Sequence, residues 1–100
     1  MPEMGIAVRI RPRAQQDLKA IWRHTCQRWC EAQADFYLKQ LDAGIRSLID
    51  FPDIGESCDD IRAGYRKVQV NRHLIFYRRS ERRIEIVRVL HQAMDVLRHL

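Results

Sequence analysis

The segment YRKVQVNRHLIFYRR, residues 65 to 79, constrains the fold of this chain more than any other. Two short runs rich in Val, Ile, Phe and Tyr flank an Asn-Arg pair, which reads as a β-hairpin turning at Asn71-Arg72. The second arm is apolar on both faces: Leu74 and Phe76 fall on one side, Ile75 and Tyr77 on the other. Such a strand needs cover on two sides. Yet Arg66, Lys67, Arg72, Arg78 and Arg79 recur along the same hairpin, so part of it faces water or a negatively charged partner.

The flanking sequence supplies the rest of a sheet and one layer of helix. GIAVRIR (5 to 11) alternates like a short first strand, and Pro12 suits the first position of a helix, where its missing N–H costs nothing. Ala14, Leu18, Ile21, Trp22, Cys26 and Trp29 hold one face of that helix. A second helix is predicted at about 31 to 50, with Ala34, Tyr37, Leu38, Leu41, Ile45 and Leu48 on its stripe. Phe51-Pro52 ends it, and PDIGESCDD (52 to 60) reads as a loop. Strands follow at about 64 to 70, 73 to 79 and 83 to 90. The predicted order is β-α-α-β-β-β in one domain over residues 1 to 100, an α+β fold. A helical hairpin packs on one face of a small, mainly antiparallel sheet.

Strict alternation in RIEIVRVLH puts Ile84, Ile86, Arg88 and Leu90 on one face, with Glu85, Val87, Val89 and His91 on the other. Two helices cover one sheet face only. The other is therefore expected to stay partly apolar and studded with Arg, a surface that marks a binding site.

Charge sharpens that expectation. Residues 1 to 61 carry 8 Lys+Arg against 10 Asp+Glu, a net of −2, whereas residues 62 to 100 carry 10 against 3, a net of +7. Fifteen of the 18 basic residues are Arg, whose planar fork suits carboxylate and phosphate. An acidic protein segment or nucleic acid is the implied partner. The longest strictly apolar run is the four residues LIFY (74 to 77), too short to span a bilayer. MPEMGIAVRI lacks the apolar segment of a secretory signal, and three cysteines suit a reducing compartment, so a cytoplasmic location is expected.

Several catalytic chemistries find little support. Cys26 and Cys30 lie four apart on a helix with His24 nearby, but no second ligand pair follows and Cys58 alone does not complete a zinc site. No metal or other cofactor is expected. The glycines, at 5, 44, 55 and 64, form no phosphate loop. Ribonuclease chemistry is the serious candidate. Arg66, Arg78 and Arg88 would clamp phosphate while His91, with Asp95 or Glu85, moves protons. The plainer reading of His91 is that it ends the last strand. For Trp22 and Trp29, seven apart on one stripe, core packing is the plainer reading beside base stacking.

GYRKVQVNRHLIFYR (64 to 78) followed by IEIVRVLHQAMD (84 to 95) resembles the ParE toxins of the RelE/ParE toxin–antitoxin superfamily. RPRAQQDLKAIW, FYLKQL and FPDIGESCDDIR extend the resemblance more loosely, so nearly the whole chain is covered. The resemblance implies the fold already read. It also implies a cognate antitoxin, held in a hetero-oligomer by a C-terminal segment, and DNA gyrase as the poisoned target. The toxin is then no enzyme and binds no nucleic acid sequence-specifically. Arg66, Arg78, Arg88, His91, Asp95 and Arg98 are the candidate antitoxin- or target-binding residues. RelE-type relatives instead cut mRNA on the ribosome with basic strand residues and a late His or Tyr. His91 keeps that alternative open, with Arg66, Arg78 and Arg88 beside it. Arg11 stands where the family often places a capping Ser before the helix. The segment Met94 to Leu100 reads as a docking tail or a loose end, and its deletion is expected to abolish toxicity while antitoxin binding survives.

Overall fold

Pro12 marks the handover from the first strand to the first helix. The computed structural model describes residues 6–100; Gly5, where the first strand is predicted to begin, lies outside them. The elements are β1 (Ala7–Ile10), α1 (Pro12–Arg28), α2 (Glu31–Asp50), β2 (Glu56–Ser57), β3 (Tyr65–Val70), β4 (His73–Ser80), β5 (Arg83–His91) and α3 (Val96–His99). The fold is α+β, with the helical hairpin on one face of a sheet ordered β1-β5-β4-β3-β2. β1 runs parallel to β5 and the other neighbours are antiparallel. Two short elements escape prediction: β2 inside the expected loop and α3 in the tail, each below the length at which periodicity is readable.

Arg11 sits at the N-cap of α1, where its guanidinium, which only donates, makes no capping bond. Its guanidinium instead reaches across to Glu85 Oε1 at 2.9 Å. The hairpin turn forms as predicted, with Val70 paired to His73 and Asn71 at φ 54°, a left-handed value that Asn tolerates better than most residues.

The main core lies between the helices and the sheet. Ala14, Ile21, Leu41, Ile45 and Leu48 meet Ile75, Tyr77, Ile84, Ile86 and Val89 there. The predicted α2 stripe is buried or half-buried throughout. Trp22 donates its indole N–H to Asp35 at 2.9 Å and ties α1 to α2. Trp29 departs from the prediction: α1 ends at Arg28, and Trp29 is 70% exposed.

Strict alternation fails in β5. Phe76 pairs with Arg88 but Tyr77 pairs with Ile86, so Val87 is an extra residue, a β-bulge. The bulge reverses the phase. Ile84, Ile86 and Val89 all face the helices, while Leu90 packs with Phe76 on the far side.

The far face also corrects the expectation of an open surface. Phe76, Leu90 and Cys58 are fully buried there, packed by Ile61, Tyr65, Leu74, Val96 and Leu100. Two helices do not cover that face, but the 57–63 segment and the C-terminal segment do.

Tyr77 pins the start of the loop after α2. Its hydroxyl donates to the Pro52 carbonyl and accepts from the Gly55 N–H, both at 2.9 Å. A Cβ on Gly55 would lie 2.6 Å from that hydroxyl and 2.9 Å from the Lys67 carbonyl oxygen. Gly55→Ala is therefore expected to cost about 1–3 kcal/mol, lowering Tm by about 4–8 °C per kcal/mol in thermal unfolding followed by circular dichroism. In a Tyr77→Phe background the added cost should shrink only in part, because the hydroxyl oxygen is gone while the ring carbon Cε1 at 2.7 Å and the Lys67 carbonyl oxygen at 2.9 Å remain. An equal cost in both backgrounds would refute this account.

Candidate functional site

The lone Arg of the last strand finds its partner inside the chain. Arg88 is 8% exposed. Its Nε and Nη2 each donate to Asp17 at 2.8 Å, a bidentate ion pair, and Nη1 donates to the His99 carbonyl at 2.9 Å. The hydrogen bonds to Asp17 hold the Arg88 pKa above its ordinary value against the opposing effect of burial. The sheet explains why Asp17 stands there. β1 pairs only with residues 83 to 86 of β5, so the next stretch of β5 edge lacks a strand neighbour. Asp17, in the second turn of α1, accepts from the Val89 N–H at 3.0 Å and substitutes for one. Arg88, named above as a candidate binding residue, thus spends its guanidinium on bonds within the chain.

Arg66 and Glu85 also bond internally. Arg66 donates to the carbonyls of Gly55 at 2.7 Å and Asp53 at 3.3 Å, holding the loop beneath Tyr77. Glu85 accepts from Arg9 at 3.2 Å and Arg11 at 2.9 Å. The Arg11 bond above all keeps its carboxyl below the usual range. Arg78 is exposed and makes no ion pair among the described residues. Asp95 caps α3 by accepting from the Leu97 N–H at 3.1 Å, and the exposed Arg98 lies 3.9 Å from it.

His91 belongs to a different neighbourhood. It pairs with His73 across the sheet, and the two rings meet edge to face with centroids 5.3 Å apart. His73 Nδ1 lies 2.6 Å from the Tyr37 hydroxyl on α2. That hydroxyl also accepts from the Arg72 N–H at 3.3 Å. Burial, with the nearby His91 and His24, pushes His73 down to about 4, consistent with a neutral ring accepting at Nδ1. His91 Nδ1 accepts from the Ala93 N–H at 3.1 Å, closing the turn after β5.

The four residues of the nuclease alternative are not brought together. Arg78 lies five residues along β4 from His73, the partner of His91, which at strand rise is about 17 Å. Arg66 pairs with Tyr77, one step nearer, and Arg88 is held by Asp17. Among the described residues, no group of three or more His, Cys, Asp or Glu is arranged to hold a metal ion. Cys58 lies in the far-face core, whereas Cys26 is half-buried on α1 and Cys30 exposed at the start of α2. No described helix is long and apolar enough to cross a membrane.

Sequence reasoning missed Asp17 and the Tyr37–His73 pair. Asp17 reads as an ordinary helix acid, and its only signal is that β5 outruns β1. His73 adjoins the predicted turn, but nothing local announces α2 above it.

Comparison with known proteins agrees with this architecture. A family profile described as "ParE toxin of type II toxin-antitoxin system, parDE" matches residues 8–96. Toxin ParE1 of Mycobacterium tuberculosis (strain CDC 1551 / Oshkosh) is 48% identical over 90 residues, covering 89% of this chain and 92% of that one. Toxin ParE1 of Caulobacter vibrioides (strain ATCC 19089 / CIP 103742 / CB 15) is 41% identical over 92 residues, with 92% and 95% covered. A solved structure titled "Chromosomal ParDE TA system from P. aeruginosa" superposes with a TM-score of 0.78 at 16% identity, covering 89% of this chain and 98% of that one, a likeness of fold. A profile spanning most of the chain and relatives above 40% identity lead to one conclusion: this chain belongs to the ParE toxin family of type II toxin–antitoxin systems.

Proposed function

We propose that this toxin arrests growth by binding a host target, DNA gyrase, in the cytoplasm, and that a cognate antitoxin neutralises it through an acidic C-terminal segment. Family membership supports the toxin role. What favours binding over cleavage is the separation of Arg66, Arg78 and His91 along the sheet, together with the confinement of Arg88 by Asp17. A phosphodiester cleavage site needs its base, acid and cations around one phosphate. In this reading Arg78 offers unpaired charge and the exposed Arg98, beside Asp95, outward-facing charge to a partner, His91 and Asp95 shape the turn after β5, and Arg66 and Arg88 hold the surface in place.

The test is strong expression of wild type and His91→Ala without antitoxin, following mRNA integrity and gyrase–DNA cleavage complexes together. Loss of one ordinary contact costs about 1–2 kcal/mol, or about 5- to 30-fold in affinity. Loss of a general acid or base costs about 100- to 10,000-fold in rate. His91→Ala is expected to stay toxic, with mRNA intact and cleavage complexes accumulating. Specific mRNA cleavage by wild type that disappears in His91→Ala would establish the nuclease instead.

A further inference from the structure

The sheet end where His73 and His91 meet opens into a cleft of about 570 Å³ beneath the turn between α1 and α2. His24 and Arg28 reach it from the last turns of α1, Gln33 and Tyr37 from α2, and Arg72 from the β3–β4 turn. No carboxylate lines it. Neither Arg28 nor Arg72 makes an ion pair among the described residues.

The hydrogen-bond directions add to that bias. His91 accepts at Nδ1 from Ala93, which puts its ring hydrogen on Nε2, and the Tyr37 hydroxyl engages Nδ1 of His73, which leaves Nε2 as its open ring nitrogen. His73, His91, Arg28 and Arg72 therefore border a space with no carboxylate among its described lining residues. At its rim stands Trp29, 70% exposed, a large flat ring left without core packing.

Donors without an acceptor call for an anion, and an exposed indole beside them calls for a flat apolar group. We infer that this cleft takes a phosphate-bearing nucleobase, presented as one link of a single-stranded nucleic acid, with the phosphate against Arg28 and Arg72 and the base stacked on Trp29. Stacking on an indole is sequence-tolerant because every base has a π face. The net charge of +5 on the whole chain attracts the neighbouring phosphates of a strand, a pull that a single free nucleotide feels less. The inference is independent of the gyrase reading, since it concerns a different end of the sheet from Arg78 and needs no toxicity.

The experiment measures binding of the full chain to a fluorescein-labelled oligodeoxythymidylate by anisotropy over a series of salt concentrations. Trp29→Ala is expected to weaken binding about 5- to 150-fold. Arg28→Ala/Arg72→Ala is expected to flatten the slope of log affinity against log salt by about 1.4, the loss of two single-strand phosphate contacts. Arg82→Ala/Arg83→Ala removes the same charge elsewhere and should change the slope less. Circular dichroism melting checks that each variant folds, and Arg28→Gln/Arg72→Gln replaces the alanine pair if that one does not. Equal losses in the two double variants, or none in Trp29→Ala, would overturn the site and leave only the pull of net charge. Deoxythymidine monophosphate that competes as well as unlabelled strand, phosphate for phosphate, would assign the cleft to a free nucleotide and overturn the strand.

Discussion

Asp17→Ala should lower Tm by at least about 12 °C, a loss of about 3–5 kcal/mol. The substitution strands the guanidinium of a residue that is 8% exposed and removes the acceptor of the Val89 N–H, so a buried charge and a strand-edge donor lose their partners together. The gross strength of the pair is not the point: charges buried together repay their desolvation only while both are present. Replacing both partners, Asp17→Leu with Arg88→Met, should therefore recover part of the loss. Asp17→Asn keeps an oxygen for Val89 and should fall between wild type and alanine. A loss below about 1 kcal/mol in Asp17→Ala would place the pair among exposed ion pairs and refute this account. Arg88→Ala is expected to reduce toxicity by unfolding the toxin, so its effect on growth must be read beside its melting temperature.

One property of the hairpin and the placement of both helices are legible from residue order alone. Period-two alternation in β4 assigned Ile75 and Tyr77 to one face and Leu74 and Phe76 to the other, and the structure packs them so. Pro12 and the 3.6-residue stripes placed both helices within a residue or two. Alternation misled in β5 because a bulge is a tertiary event: Val87 carries no local mark that it will go unpaired. The surface was less legible than the core for a related reason. An Arg on an apolar strand looks the same in sequence whether its anion lies in a partner or, as for Arg88 and Asp17, 71 residues back in the chain. The candidate residues are spread over both ends of the sheet, and the cleft beneath the α1–α2 turn draws on four separate segments that no motif joins.

Deleting residues 94 to 100 should destabilise the toxin by about 2–4 kcal/mol and weaken antitoxin binding along with toxicity. This revises the expectation of a docking tail that can be removed cleanly. Val96 and Leu100 pack on Phe76, Leu90 and Cys58, which are otherwise shielded on that face only by residues 57 to 65 and Leu74. Each of the two lost side chains is half-buried, worth about half of the 1.5–3 kcal/mol of full burial, and Phe76 and Leu90 would meet water in their place. The deletion also removes the His99 carbonyl that accepts from Arg88 and the Leu100 carbonyl that accepts from Arg62 at 2.8 Å. Arg88, already committed to Asp17, would then expose part of its guanidinium, coupling the tail to the ion pair. A tail that serves the fold and a tail that docks on the target are separated by a second variant. Leu97 is 75% exposed and Arg98 is exposed, so Leu97→Ala/Arg98→Ala removes outward-facing chemistry while leaving Val96 and Leu100 in place. That variant should melt within about 1 kcal/mol of wild type, as surface substitutions do. Any toxicity it loses then measures docking alone. A truncated chain that keeps the wild-type melting temperature would show the tail to contribute nothing to the core.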